Sequence, residues 1–221
     1  MKKLTLLLSF VFVFSTAICA QADTFGFDNI SANSVGDAAI GEAQLFVDVT
    51  DPGAGQVLFT FGNTGPAASS ITDVYFDDGS LLGIASIING AGVDFSQLAS
   101  PPDLPSGNSA DPDFVTTAGF SADSNPPAQP NGVNPGESLG ILFNLQGGGT
   151  FADVLSELGD SSLRIGIHVQ GFASGGSEAF VNDGPTNGNG TTPVPEPATM
   201  LLLGSGLIGL AGYGRKKFFK K

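Results

Sequence analysis

The sequence contains one cysteine, one histidine, two tyrosines and no tryptophan. Side chains that commonly serve in catalysis, metal binding or sugar stacking are therefore scarce. Cys19 is the only cysteine and lies close to the amino terminus, in a segment predicted below to be removed. A mature chain without thiols can form no disulfide and offers no cysteine ligand to a metal. We therefore expect its stability to come from packing alone.

Positive charge is also scarce. The chain has 8 Lys and Arg residues against 21 Asp and Glu residues, a formal net charge of -13, and Arg164 is the only cation between Lys3 and Arg215. Nucleic-acid binding depends on clustered Lys and Arg, so nucleic acid is excluded as a partner. A surface this acidic keeps the protein soluble and attracts divalent cations.

His168 is the only histidine, so a histidine-based metal site or a Ser-His-Asp triad would have to be built around it. Glu178 and Asp183 are nearby in sequence, but no G-x-S-x-G motif accompanies them. We interpret His168 as an outward-facing strand residue, assign no catalytic residues and predict that the protein is not an enzyme. A polysaccharide hydrolase that uses two carboxylates stays open as an alternative.

The amino terminus has the pattern of a secretory signal peptide. Lys2 and Lys3 precede an apolar stretch over residues 4–18, and Ala20-Gln21-Ala22 supplies the small residues that signal peptidase accepts. Cleavage after Ala22 is expected, so residues 1–22 form the signal peptide and the protein is exported across the inner membrane.

The carboxyl terminus combines four features in a fixed order. Residues 182–193 lack large apolar side chains and predict a flexible linker. Val194-Pro195-Glu196-Pro197 follows, and its prolines favour an extended, accessible backbone. Residues 198–213 are uncharged and predict a short transmembrane helix. The basic tail of Arg215, Lys216 and Lys217 is then expected to stay cytoplasmic.

This order of Pro-Glu-Pro motif, apolar span and basic cluster over residues 194–221 resembles the PEP-CTERM sorting signal. The resemblance implies processing by exosortase, a membrane cysteine enzyme, in a Gram-negative bacterium that makes exopolysaccharide. It further implies transient anchoring in the inner membrane and release to the cell surface or extracellular matrix. It implies no activity for the rest of the chain.

Residues 23–181 predict a single antiparallel β-sandwich with one or two short helices. Short runs rich in Val, Ile and Phe alternate with Gly, Pro, Asn and Asp turns. We predict a meander of four strands, followed by two later ones of which the last has an apolar and a polar, solvated face. The predicted strands span residues 42–49, 56–62, 71–76, 81–88, 138–145 and 162–172.

Three further segments carry local predictions. Residues 100–136 are rich in proline and predict a long surface loop with one strand near 114–120. Thr150 with Asp153 predicts a capping box that opens a short helix through Leu158, with Gly159 as its stop. A helical turn is expected at residues 95–98. The segment 163–178 resembles the last part of a body type common among PEP-CTERM proteins, which supports the fold alone.

Several acidic turns are weak calcium candidates, because Ca²⁺ prefers oxygen ligands on loops. None has the full D-x-[DN]-x-[DN]-G spacing, and ordinary turn chemistry explains them. No other cofactor is expected. The candidate residues are Asp77, Asp78, Asp111 and Asp113, with Asp48 and Asp51 as a further pair.

We therefore expect a non-enzymatic structural or adhesive protein of the cell surface or matrix, connected with exopolysaccharide or biofilm. A carbohydrate-binding module is the main alternative, with the polar face around His168 and the proline-rich loop as contact surface. The absence of Trp and the presence of only two tyrosines weigh against that alternative, since sugars commonly stack on such rings.

Overall fold

The computed structural model describes residues 22–78 and 81–183, which form two antiparallel sheets with few short helices. Sheet A has the strand order β1 (Ala22–Phe25), β3 (Leu45–Thr50), β4 (Gln56–Asn63), β9 (Ser138–Leu145) and β6 (Leu82–Asn89). Sheet B has the order β2 (Phe27–Asn29), β11 (Glu178–Asn182), β10 (Leu163–Gln170), β5 (Ser70–Asp78), β8 (Ser121–Ser124) and β7 (Phe95–Gln97). The helices are α1 (Val35–Gln44), α2 (Ala128–Asn131) and α3 (Phe151–Asp160), with a 3-10 turn at Gly107–Ser109.

The two sheets pack face to face over one apolar core. Phe59 and Phe143 of sheet A meet Phe76 of sheet B edge to face, with ring centroids 5.2 and 4.7 Å apart respectively. Edge-to-face geometry is the arrangement that aromatic rings prefer, and each ring buries a large apolar area. The prediction of an antiparallel all-β body with few helices is confirmed.

The predicted meander of four strands is wrong. β3 and β4 are neighbours in sheet A, but β5 lies in sheet B and β6 returns to the far edge of sheet A beside β9. The alternation of apolar and polar residues predicts that a segment forms a strand. Which of the two sheets the strand joins depends on long-range packing, which local sequence patterns do not encode. The bounds of β9 match the predicted strand, and those of β4, β5, β6 and β10 differ from it by one or two residues.

Helix α1 was not predicted, and its last residues occupy the start of the strand predicted at 42–49. Ser34 caps it by accepting a hydrogen bond from the N–H of Asp37. Its buried positions are Asp37, Gly41 and Gln44, so no apolar stripe marks the helix in the sequence. Gly41 is needed there because a Cβ would lie 2.1 Å from the ring of Phe180.

The predicted long loop becomes a covering layer on sheet B. We call residues 98–120, which connect β7 to β8, the strap. Leu104 and Phe114 of the strap pack on Tyr75, Ala179 and Val181, forming a second small apolar cluster. The strand predicted near 114–120 is wrong, because the pairing residues are those of β8, and the helical turn predicted at 95–98 is strand β7.

Helix α3 confirms the predicted capping box. Thr150 accepts from the N–H of Asp153, and the Asp153 carboxylate accepts from the N–H of Thr150 at 2.8 Å. Val154 and Leu158 are fully buried. The helix ends at Asp160, and the residue that follows it, Ser161, has a left-handed conformation with φ 65°, so Gly159 is not the stop that was predicted.

None of the helices in residues 22–78 and 81–183 has the length and apolar character needed to cross a bilayer. The predicted transmembrane segment at 198–213, most of the linker and most of the signal peptide lie outside the described residues. The predicted start of the linker is wrong, because Asn182 is the last residue of β11 and pairs with Phe27. Ala22, the predicted last residue of the signal peptide, opens β1 and is exposed.

Candidate functional site

The most unusual polar feature of the body is a row of titratable side chains across sheet B, which we call the His–Asp row. Cross-strand pairing places His168 of β10 opposite Asp73 of β5, and Asp73 opposite Asp123 of β8. The Nδ1 atom of His168 lies 2.9 Å from Oδ2 of Asp73, whose side chain is 4% exposed. Thr72 also donates its hydroxyl hydrogen to Asp73 Oδ2 at 2.9 Å.

The two carboxyl groups of the row are on directly opposed residues of β5 and β8. Burial, together with the adjacent carboxylate of Asp73, raises the pKa of Asp123 from 3.8 to about 6. The backbone of Ser100 and the nearby His168 act in the opposite direction, but they are weaker. Two neighbouring carboxyl groups do not both ionise easily, so Asp123 keeps its proton to a higher pH than an ordinary aspartate, up to about pH 6.

The strap closes over this part of sheet B. Tyr75 lies two residues after Asp73 on β5, and it donates its phenolic hydrogen to the carbonyl of Pro101 at 3.1 Å. Burial and then the Asp73 charge raise the pKa of that phenol well above its ordinary value of 10. The row is therefore covered by polar and apolar contacts and is not an open cleft.

Arg164 fixes the other end of the strap. Its guanidinium donates to the Asp77 carboxylate and to the carbonyls of Pro112 and Asp113, and it lies 5.3 Å from the ring centroid of Phe114. A planar guanidinium can make these bonds and stack on a ring at the same time. The one cation of the middle of the chain thus holds the strap to sheet B.

These contacts correct the prediction of a solvated face on β10. The side chains of Arg164 and His168 are only 9% and 14% exposed, because the strap covers Arg164 and Asp73 of β5 contacts His168. His168 is paired with Asp73, a residue 95 positions away, and not with Glu178 or Asp183. Sequence reasoning missed Asp73 because only the β5–β10 register brings the two together.

The calcium candidates are mostly engaged within the protein. Asp77 accepts from Arg164 and from the N–H of Val115, while Asp78 accepts from the N–H groups of Leu81 and Leu82. Asp111 and Asp113 are exposed in the strap. The further pair, Asp48 and Asp51, accepts from Thr24 and from the N–H of Gly53. Within residues 22–78 and 81–183 no group of three or more acidic or metal-ligating side chains is arranged to hold a metal.

Glu178 organises the junction between β11 and the start of α1. It is 1% exposed and accepts from the hydroxyl of Ser31, the amide of Asn29 and the N–H groups of Asn33 and Ser34. Burial opposes ionisation, but these four hydrogen bonds outweigh it and lower the pKa of Glu178. Its environment is thus that of a structural carboxylate.

An open groove lies at the opposite end of β5 from the Arg164 contact. No residue that lines it is charged, although the body is strongly acidic. The groove has a volume of about 460 Å³, and prolines, hydroxyls and amides line it. Its lining residues include Pro66, Ser70, Gln129, Pro130, Asn134 and Pro135.

Comparison with protein families identifies the carboxyl terminus. Residues 193–216 match the family model of the PEP-CTERM protein-sorting motif, which confirms the resemblance. The match contains Val194, Pro195, Glu196, Pro197, Arg215 and Lys216, while Lys217 follows it directly. These residues and Ala20 lie outside the described part of the structure. Neither a search of curated proteins nor one of solved structures found a match.

Proposed function

We propose that this is an exported protein that exosortase processes at its C-terminal sorting motif and that then acts as a non-enzymatic structural or adhesive component of the cell surface or extracellular matrix. The observation that carries the proposal is the PEP-CTERM motif at residues 193–216. The inner membrane holds the chain before processing, and signal peptidase removes residues 1–22. A connection with exopolysaccharide or biofilm belongs to the same proposal.

The body supports a structural role. Its two sheets bury a continuous apolar core, and its only histidine is 14% exposed and engaged with Asp73. Asp73 and Asp123 occupy directly opposed positions on β5 and β8 and Asp73 is buried, whereas the carboxyl groups of a glycosidase lie about 5 to 9.5 Å apart around a bound sugar.

The sorting proposal is tested by following the carboxyl terminus in cells that contain or lack exosortase. We expect mass spectrometry to find chains without Arg215, Lys216 and Lys217 only where the enzyme is present. Replacing Glu196 and both flanking prolines by alanine is expected to leave the tail in place. A matched control replaces Thr191 and Thr192 by alanine and keeps processing. Retention of the final lysines in both hosts would overturn the proposal.

The uncharged groove favours carbohydrate binding as a second candidate function. Amide and hydroxyl groups match the hydroxyls of a sugar, and the groove presents no carboxylate to an anionic polysaccharide. A glycan array with the purified protein tests it. We expect Gln129→Ala to lose any signal that Gln97→Ala, an exposed glutamine on β7, retains. An array without signal for the unmodified protein leaves only the structural role.

A further inference from the structure

The two sheets expose four edge strands that differ sharply in length and charge. β1, β2 and β7 have four, three and three residues, and Asp23, Asp28 and Asp94 lie within or beside them. β6 has eight residues, Leu-Gly-Ile-Ala-Ser-Ile-Ile-Asn, and carries no charge. Among residues 22–78 and 81–183, no strand pairs with its outer edge.

Edge strands of natural sheets are normally protected against pairing with other chains. Short length, charged side chains and proline are the usual means, since each makes an added strand unfavourable. β1, β2 and β7 use the first two. β6 uses none of the three, and its one protective feature is the β-bulge or irregularity between Ile84 and Ser86. A long, uncharged strand rich in Ile is well suited to pair with another strand.

The hydrogen-bonding direction of β6 can be followed from its neighbour β9. The N–H of Leu145 donates to Gly55, on the β4 side, so alternate residues of β9 face β6. Leu142 and Gly140 are among these, and they pair with Ser86 and Ile88. The backbone groups of Ile87, between them, therefore point to the outer edge.

We propose that β6 is a self-association edge, at which the β6 strands of two copies of this chain pair antiparallel about a two-fold axis. Sheet A of each copy would then continue into the other. A strand that pairs with its own copy in a closed dimer does so antiparallel, because the two-fold axis reverses its direction. The proposal goes beyond sorting and does not depend on the tail.

The charge distribution makes β6 the strand at which a second copy can approach with the least repulsion. Twenty acidic residues and only one cation, Arg164, lie between Asp23 and Asp183, so two copies repel each other over most of their surfaces. The exposed side chains described on β6 are Ala85, Ser86, Ile88 and Asn89, all neutral, and Asn89 at the end of the strand is hydrogen-bonded to the backbone of Phe95 on β7. Pairing there brings no like charges together along the strand and covers Ile88, which is 48% exposed.

Disulfide trapping in the full chain tests the proposal, with Cys19 replaced by serine. Cysteine is introduced singly at Ala85, Ser86 or Ile88, and mild oxidation is followed by non-reducing electrophoresis. We expect at least one of the three variants to form a dimer at several times the yield of Thr60→Cys on the interior strand β4, and of Gln97→Cys on edge strand β7. The cysteine position with the highest dimer yield shows which residues of the two β6 strands face each other.

A charge introduced beside the trapping position completes the test. Adding Ile88→Lys to the Ala85 or Ser86 cysteine variant is expected to reduce the dimer to the level of Thr60→Cys, because a lysine on an edge strand disfavours the addition of another strand in any register. Adding Thr60→Lys is the matched control and should leave the yield unchanged. Trapping no better than at Thr60, or an adduct with a different protein, would overturn the proposal. Neither outcome affects the sorting assay.

Discussion

At the residue scale, the ionised form of Asp123 is destabilised in the folded protein. Its pKa is raised to about 6, chiefly by burial and by Asp73, so the folded state holds a proton that the unfolded chain releases above 3.8. Asp73, His168 and Tyr75 surround it, and Asp103 of the strap faces Tyr75. The free energy of unfolding should therefore fall as pH rises through this window.

Asp123→Asn removes that ionisation and keeps a side chain that can donate to Asp73. We expect the variant to be more stable than the unmodified protein at pH 7, equally stable near pH 4, and less dependent on pH between them. Urea unfolding at several pH values measures this. Asp111→Asn, at an exposed strap position, removes the same charge and should not change the slope. Parallel pH profiles for the protein and Asp123→Asn would contradict the argument.

Gly166 of β10 leaves the space into which the strap packs. A Cβ built there would lie 2.6 Å from Leu104 Cδ2 and 3.0 Å from Phe114 Cζ. Overpacking of this kind costs about 1–3 kcal/mol, so we expect Gly166→Val to lower the free energy of unfolding by that amount. The measurement is equilibrium urea unfolding.

The matched control for Gly166 is a glycine with room around it. Gly36 lies in the first turn of α1, and its nearest neighbour to a new Cβ is Ser34 Oγ at 3.9 Å. Gly36→Ala should raise stability by about 0.5–1 kcal/mol, because alanine favours the helix. Equal effects of the two changes would show that the strap does not pack closely on Gly166.

At the element scale, the sequence predicted those strands and helices whose signal is local. β9 and β10 follow from alternating apolar residues, and α3 follows from Thr150 and Asp153. Nearly all residues of β5 are buried, because the strap covers the face that points away from the core. Its sequence therefore shows only a weak alternation of apolar and polar residues. The His–Asp row could not be predicted, since it depends on the register of three strands far apart in the chain.

The capping box of α3 gives a measurable contribution to the stability of that helix. Thr150 satisfies the N–H of Asp153, and the reciprocal bonds lower the pKa of Asp153. Thr150→Ala should lower the free energy of unfolding by about 1 kcal/mol, because one N–H loses its partner. Thr150→Ser keeps the hydroxyl and should lose little. A helix insensitive to Thr150→Ala would mean that Val154 and Leu158 alone hold it.

At the scale of the whole molecule, the body is an acidic surface around an apolar core. Between Asp23 and Asp183 the chain has twenty acidic residues and one cation, Arg164. The basic residues of the carboxyl terminus form a cluster at the end of the sorting motif, from Arg215 onward. Charge of one sign over a compact body opposes folding, and this repulsion decreases as salt shortens the Debye length. Bound calcium would stabilise the same surface by a different, saturable route.

Salt and calcium can therefore be separated by a thermal-unfolding measurement on the full-length protein. The Debye length falls from about 30 Å at 0.01 M to about 10 Å at 0.1 M ionic strength, so we expect Tm to rise with NaCl over this range. CaCl₂ at the same ionic strength should add no further saturable increase, because Asp77 and Asp78 already accept hydrogen bonds from Arg164 and the backbone. MgCl₂ is the control for divalent charge. A calcium-specific rise that Asp111→Asn or Asp113→Asn abolishes would instead place a calcium site in the strap.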